Sequence, residues 1–148
     1  MRASRCRTPR HAVAVASSSL CLLVAACSGF GIDDPRAGLS CVDDSKECVD
    51  QRQATLKSML ADEKRGWVKE PTNPKAHASG VRLFAFRSRK KELSCEELAL
   101  GRREADSVPK TLRGSKELSA AQIARASMFA AEVGKELGAE MRARRCRA

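Results

Sequence analysis

The sequence predicts an all-α fold, a small antiparallel bundle of about four helices stapled by disulfides. Three observations carry this expectation. Apolar residues recur at helical spacing through most of the chain beyond residue 41. Two capping boxes, Ser94-Cys95-Glu96-Glu97 and Ser119-Ala120-Ala121-Gln122, mark helix starts. Four cysteines, Cys41, Cys48, Cys95 and Cys146, remain once an N-terminal leader and the cysteine that follows it are set aside, an even number suited to pairing.

The leader comes first in chain order. Arg2, Arg5, Arg7 and Arg10 precede an apolar run from Ala12 to Ala26, broken by Ser17, Ser18 and Ser19, with no acid before residue 27. A basic start, a short apolar stretch and small residues at its end make an export signal. The run is shorter than the roughly 20 residues a membrane-spanning helix needs. It closes on Val24-Ala25-Ala26-Cys27, which resembles the lipobox of bacterial lipoproteins. The resemblance covers the first fifth of the chain. It implies cleavage before Cys27, a lipid on its thiol, and an acyl chain such as palmitate on the new N-terminus. Several acyl chains together make a stable anchor. Ser28, not acidic, goes with the outer membrane in familiar Gram-negative lipoproteins, so a lipid-anchored protein facing the periplasm is expected. Residues 1–26 are then signal peptide, 27–40 a lipidated tether rich in Gly, Asp and Pro, and 41–148 a single domain. Cys6 and Cys21 leave with the signal. The net charge falls from +10 to +6, because the signal holds four Arg and no acid.

Within the domain the first helix is expected over residues 42–62, with Val49, Leu56, Met59 and Leu60 on one face, Asp43 or Asp44 as cap and Glu47 in the first turn. Gly66 ends it. A connector to Asn73 holds Trp67 and Pro71. Asn73-Pro74 then starts a second helix to about Lys91, whose centre, Val81 to Phe86, also carries a weak strand-like alternation. The third helix starts at the Ser94 box, with Leu93 and Leu98 as its staple, and is expected to end before Pro109. The fourth starts at the Ser119 box, with Leu118 and Ile123 as staple, and runs to the chain end. Ala126, Ala130, Gly134 and Gly138 recur every four positions on it, a row that admits close approach of another helix. That approach is expected inside the bundle; a homodimer contact is the alternative.

Element order suggests where the cysteines meet. In an up-down-up-down bundle Cys41, Cys95 and Cys146 share one end, with Cys48 within two turns. If residues 41–48 are helical, Cys41 and Cys48 stand about 10 Å apart along the axis, beyond the Cα separation of about 7 Å that a disulfide tolerates. Two pairings remain, Cys48–Cys95 with Cys41–Cys146, slightly preferred, or Cys41–Cys95 with Cys48–Cys146. The spacings lack the close pairs of zinc sites.

The catalytic vocabulary is thin. There are two histidines, one tryptophan and no tyrosine. No phosphate loop, nucleophile elbow or metalloprotease helix occurs. Neither catalysis nor a cofactor or metal is expected. Two basic clusters, Arg87, Arg89, Lys90 and Lys91, and Arg142, Arg144, Arg145 and Arg147, fall at helix C-termini, where the helix dipole favours cations. At the cysteine end they would form a basic patch for lipopolysaccharide, peptidoglycan or phospholipid headgroups. The expected role is non-enzymatic, structural or partner-binding, in the cell envelope. Expected partners are the membrane through its lipid anchor, an envelope protein or an anionic envelope polymer, and a second copy of the chain. Nucleic acid is not expected, given the export signal and the lack of interleaved aromatics.

Overall fold

A computed structural model describes residues 35–147; the expected signal, Cys27 and most of the tether lie outside them. Every regular element among the described residues is helical. The helices are α1 (Lys46–Ala61), α2 (Pro74–Ser79), α3 (Val81–Arg89), α4 (Cys95–Leu112) and α5 (Ala120–Ala143). Single 3-10 turns occur at Ala37–Leu39 and Gly66–Lys69. The fold is an all-α bundle stapled by two disulfides, as the sequence predicts.

The scaffold is the antiparallel pair of α4 and α5. Both capping boxes form: Ser94 with Glu97, and Ser119 with Gln122, each exchange two hydrogen bonds. The staples work too, since Leu93, Leu98 and Leu118 are buried in the core with Ile123 packed against it. The small-residue row of α5 faces α4. Ala126, Ala130, Gly134 and Gly138 are all buried, and a Cβ on Gly134 would stand 3.4 Å from the Cβ of Ala105. The row is therefore consumed inside the bundle.

Three expected boundaries move. The first helix begins at Lys46, not residue 42, because Ser45 rather than Asp43 or Asp44 caps it, accepting from the Cys48 N–H. Asp43 is spent one step earlier, accepting from the Ser45 N–H at 2.8 Å. The expected helix 74–91 is two, because Gly80 adopts φ +71° and closes α2 while opening α3. Residues 81–86 are helical. The third helix does not stop before Pro109. Proline at 109 removes its own backbone donor and its ring crowds the Ala105 carbonyl, but the remaining turn is held by the burial of Val108 and Leu112, both 0% exposed.

Long-range contacts give the helix directions. Val42 and Asp44, before α1, meet Gln122 and Arg125, at the start of α5. Leu60, at the end of α1, accepts from Arg89, at the end of α3. Phe84 stacks on Phe129 and Lys90 reaches Glu136. So α1, α3 and α5 run one way and α4 the other, with residues 70–73 carrying the chain back between α1 and α2.

The core is compensated for few apolar residues by tight aromatic packing. Trp67 and Phe86 meet edge to face at 4.9 Å, and the Trp67 indole donates to the Met59 carbonyl at 3.0 Å. Gly101 lets Phe86 approach α4; a Cβ there would stand 2.5 Å from Phe86 Cδ1. A second close approach needs Gly38, whose N–H donates to the buried Thr55 hydroxyl at 3.0 Å.

The disulfides pair Cys41 with Cys48 and Cys95 with Cys146, at Cα separations of 5.3 and 5.5 Å. Both expected pairings, 41–146 with 48–95 and 41–95 with 48–146, are therefore corrected. The reason is the late start of α1. Residues 41–45 are not helical but fold back over the first turn, so the helical rise never separates Cys41 from Cys48. The expected meeting of Cys41 with Cys95 and Cys146 fails as well. Cys41 lies near the start of α5 and Cys146 past its end, a helix of 24 residues and so about 36 Å long.

Candidate functional site

An apolar concavity lies at the Cys41–Cys48 end, between α1, the α2–α3 junction and the first turns of α5. It is a cleft of about 420 Å³, apolar in lining and open along one side. Val49 and Leu56 come from α1, Val81 and Phe84 from α3, and Ala126 and Phe129 from α5. Phe84 and Phe129 stack at 6.0 Å between centroids, 25° from parallel. Phe84 remains 46% exposed and nearby Met128 on α5 is 74% exposed. They are the large apolar side chains left in water among the described residues, on a surface otherwise dominated by charge.

The polar rim is built by the same loop the disulfide shapes. Arg52 on α1 donates to the carbonyls of Asp43 at 2.6 Å and Cys41 at 3.3 Å, moulding residues 41–45. Gln122 accepts from Ser119 to cap α5 and donates to the Val42 carbonyl at 3.0 Å. Asp44 bridges Arg125, at 3.1 Å, and Arg52, at 3.7 Å. The cleft mouth thus carries two guanidinium groups and one carboxylate.

Beneath α2 lies a buried polar cluster. Arg82 on α3 and Glu104 on α4 form an ion pair with N···O distances of 3.1, 3.2 and 2.8 Å and side-chain exposures of 3% and 7%. Arg82 also donates to the Glu70 carbonyl at 3.0 Å, fixing the returning segment. His77 on α2 lies in the same region. Its Nε2 stands 3.2 Å from the Thr72 hydroxyl, while Nδ1 has no hydrogen-bond partner. A lone histidine just inside a helix start reads as a surface residue, but His77 is buried. The signal that could have found it is Ala76-His77 on the inward side of a helix whose cap, Asn73, was legible.

The basic clusters do come to one end, where α3 and α5 both finish, and three of their eight cations are paired with carboxylates. Arg87 pairs with Glu132 and Glu136, and Lys90 with Glu136. Lys90 foremost holds the Glu136 carboxyl below its ordinary value, with Arg87 adding to the effect. Arg89 pairs with Glu92 and caps α1 through the Leu60 carbonyl. Arg144 donates to the Leu93 carbonyl at 2.5 Å. Arg145 is the left-handed residue, φ 56°, of a Schellman turn in which the Arg145 and Cys146 N–H groups return to the Arg142 and Met141 carbonyls. Lys91, Arg142 and Arg147 are exposed there. A related pair, Arg65 and Glu97, locks the second 3-10 turn to α4 at 2.9 Å. Burial would raise the Glu97 carboxyl, but Arg65 and the Ser94 donors outweigh it and hold it low.

Among the described residues no three His, Cys, Asp or Glu are placed to hold a metal ion, and no helix is long and apolar enough to cross a membrane. These features define a disulfide-braced helical bundle with an apolar cleft at its Cys41–Cys48 end. The sequence matches no protein-family model, and no curated protein or solved structure is similar to it.

Proposed function

We propose that this chain is a lipid-anchored protein of the cell envelope, without catalytic activity, that holds an apolar, acid-flanked segment of a protein partner in the cleft. The lipobox-like end of the leader, with Cys27 as the lipidated residue, supports the anchorage and the placement at the outer membrane facing the periplasm. The observation that carries the binding role is the stack of exposed Phe84 on half-buried Phe129 in a charged surface, with Arg52 and Arg125 at its rim. Exposed aromatics around a shallow pocket are the usual anchors of protein recognition. Rim charges select the partner's charge and steer its approach. The second reading, an anion-binding module for envelope polymers or lipid headgroups, would rest on the exposed Lys91, Arg142 and Arg147, since Arg87, Arg89 and Lys90 face internal carboxylates.

The test compares two synthetic peptides sharing one amphipathic apolar core, one flanked by Asp and one by Lys. The Asp-flanked peptide binds more tightly to the lipidated protein in detergent micelles. Phe84→Ser weakens both, and Arg125→Glu reverses the charge preference. Equal binding of both peptides, unchanged by either substitution, rejects the cleft as the partner site. Intact mass of the processed chain reads the anchor directly, as lipid on Cys27 that Cys27→Ser abolishes.

A further inference from the structure

His77 is the only histidine beyond residue 26, and its side chain is buried in α2, a six-residue helix. The groups around it are few. Thr72 on the connector meets Nε2. Glu104 on α4 and Arg82 on α3 act on it through their charges. Lys75 on α2 itself turns to Glu117, and Arg36, before the first 3-10 turn, turns to Glu70. From α5 the contact to this region is apolar, the Phe129 ring against Gly80.

This setting suits a neutral ring and not a charged one. With its proton on Nε2, His77 donates to the Thr72 hydroxyl and leaves Nδ1 as a bare lone pair, which needs no donor urgently. Protonation turns Nδ1 into a buried N–H with no acceptor and sets a second positive charge near Arg82. Glu104 offers limited relief, because its carboxylate is already committed to Arg82 through three contacts. Burial foremost lowers His77 below its ordinary 6.5; Glu104 opposes this and Arg82 reinforces it.

The same short helix forms a wall of the cleft, through Ala78, Ser79 and Gly80. Gly80, in the left-handed region, joins α2 to α3. We propose that His77 is a proton-operated latch on the cleft: proton uptake releases α2 from α3 and α4 and displaces the wall that α2 supplies. The proposal rests on reading the cleft as the binding site. The sign follows from linkage. The released ring binds a proton more strongly than the docked ring. Docking is therefore full above the ordinary 6.5, weakens by up to about tenfold per pH unit as pH falls from there toward the docked-state value, and levels off below it.

The experiment uses the lipidated protein in detergent micelles. Amide hydrogen exchange at residues 76–81, corrected for intrinsic pH dependence, is followed from about pH 8 to about pH 5. The Asp-flanked peptide is titrated at the same pH values. Opening of this segment rises up to tenfold per pH unit as pH falls below about 6.5 and levels off once the docked His77 ring itself titrates, and peptide affinity falls with it. His77→Gln keeps a donor for Thr72 but does not titrate, so its exchange stays flat. The imidazole carbon signals of the unsubstituted protein give an independent reading. A His77 ring that titrates at or above 6.5, or a His77→Gln protein that opens with acid as the parent does, overturns the latch. Opening that follows His77 while the peptide never binds, even at neutral pH, upholds the latch and removes the docking reading alone.

Discussion

Removing each disulfide separately should destabilise the protein by different amounts, and the difference tests the pairing. The Cys41–Cys48 bridge closes a loop of sequence separation 7, and Cys95–Cys146 one of 51. Loop closure in the unfolded chain costs entropy that grows with the logarithm of loop length. On that basis the short bridge contributes about 2.4 kcal/mol and the long one about 4.1 kcal/mol. Trp67 is the only tryptophan and is 4% exposed in the core, so its fluorescence reports global unfolding in urea. Cys95→Ser with Cys146→Ser should lose about 1.7 kcal/mol more than Cys41→Ser with Cys48→Ser. In the pairings 41–146 with 48–95 both loops are long, and each bridge would contribute about 4–5 kcal/mol. Equal losses for the two double variants would refute the reasoning. A single Cys41→Ser chain adds a direct check: alkylation must find the freed thiol at Cys48, not at Cys95 or Cys146.

Further substitutions probe the buried ion pair, the close approach to α4 and the end of α5. Glu104→Gln strands the buried Arg82 guanidinium and should cost about 3 kcal/mol or more, whereas Arg82→Met with Glu104→Leu should return close to the parent in urea unfolding; a nearly neutral Glu104→Gln contradicts the burial of the pair. Gly101→Ala drives a Cβ to 2.5 Å from the enclosed Phe86 ring, so overpacking of about 1–3 kcal/mol should exceed the gain in helix propensity of about 1 kcal/mol; a more stable protein in thermal melting would show that the ring yields freely. Arg145→Gly relieves the left-handed residue after α5 and should stabilise by up to about 1 kcal/mol, unless calorimetry shows a loss, which would assign the Arg145 side chain a role of its own.

What was legible in the sequence was local. The Ser94 and Ser119 boxes and the Asn73-Pro74 start are short-range chemistry, and the structure places all three helix starts where they fall. The face of α5 was legible because its row of small residues repeats with the helix period. The errors came where one turn decides a long-range outcome. Whether Asp43, Asp44 or Ser45 caps α1 changes the start by a few residues, and that alone converts Cys41–Cys48 from an implausible pair into the observed one. Gly80 reads equally well as a tolerated helix glycine or as a left-handed hinge, and packing against Phe129 accompanies the second choice. The cleft was not legible at all. Its walls come from α1, α2, α3 and α5, and only the parallel run of α1 and α5 brings Val49, Phe84 and Phe129 together.

The two bridges do different work because they sit at opposite ends of α5. Cys95–Cys146 ties the start of α4 to the end of α5, the most tightly packed pair, and so guards the scaffold. Cys41–Cys48 closes a loop with few core residues of its own; Val42 packs at the edge and Asp43 and Asp44 are exposed. Yet that loop supplies Val42 and Asp44 to the cleft and receives Arg52 and Gln122. Its geometry serves the cleft rim more than the core. Cys41→Ser with Cys48→Ser should therefore leave the helix content intact in far-ultraviolet circular dichroism. The same variant should lose the preference for Asp-flanked over Lys-flanked peptides, because Arg52 and Arg125 lose the carbonyls and the carboxylate that orient them. A variant that keeps the charge preference unchanged would show that the rim is set by α1 and α5 alone.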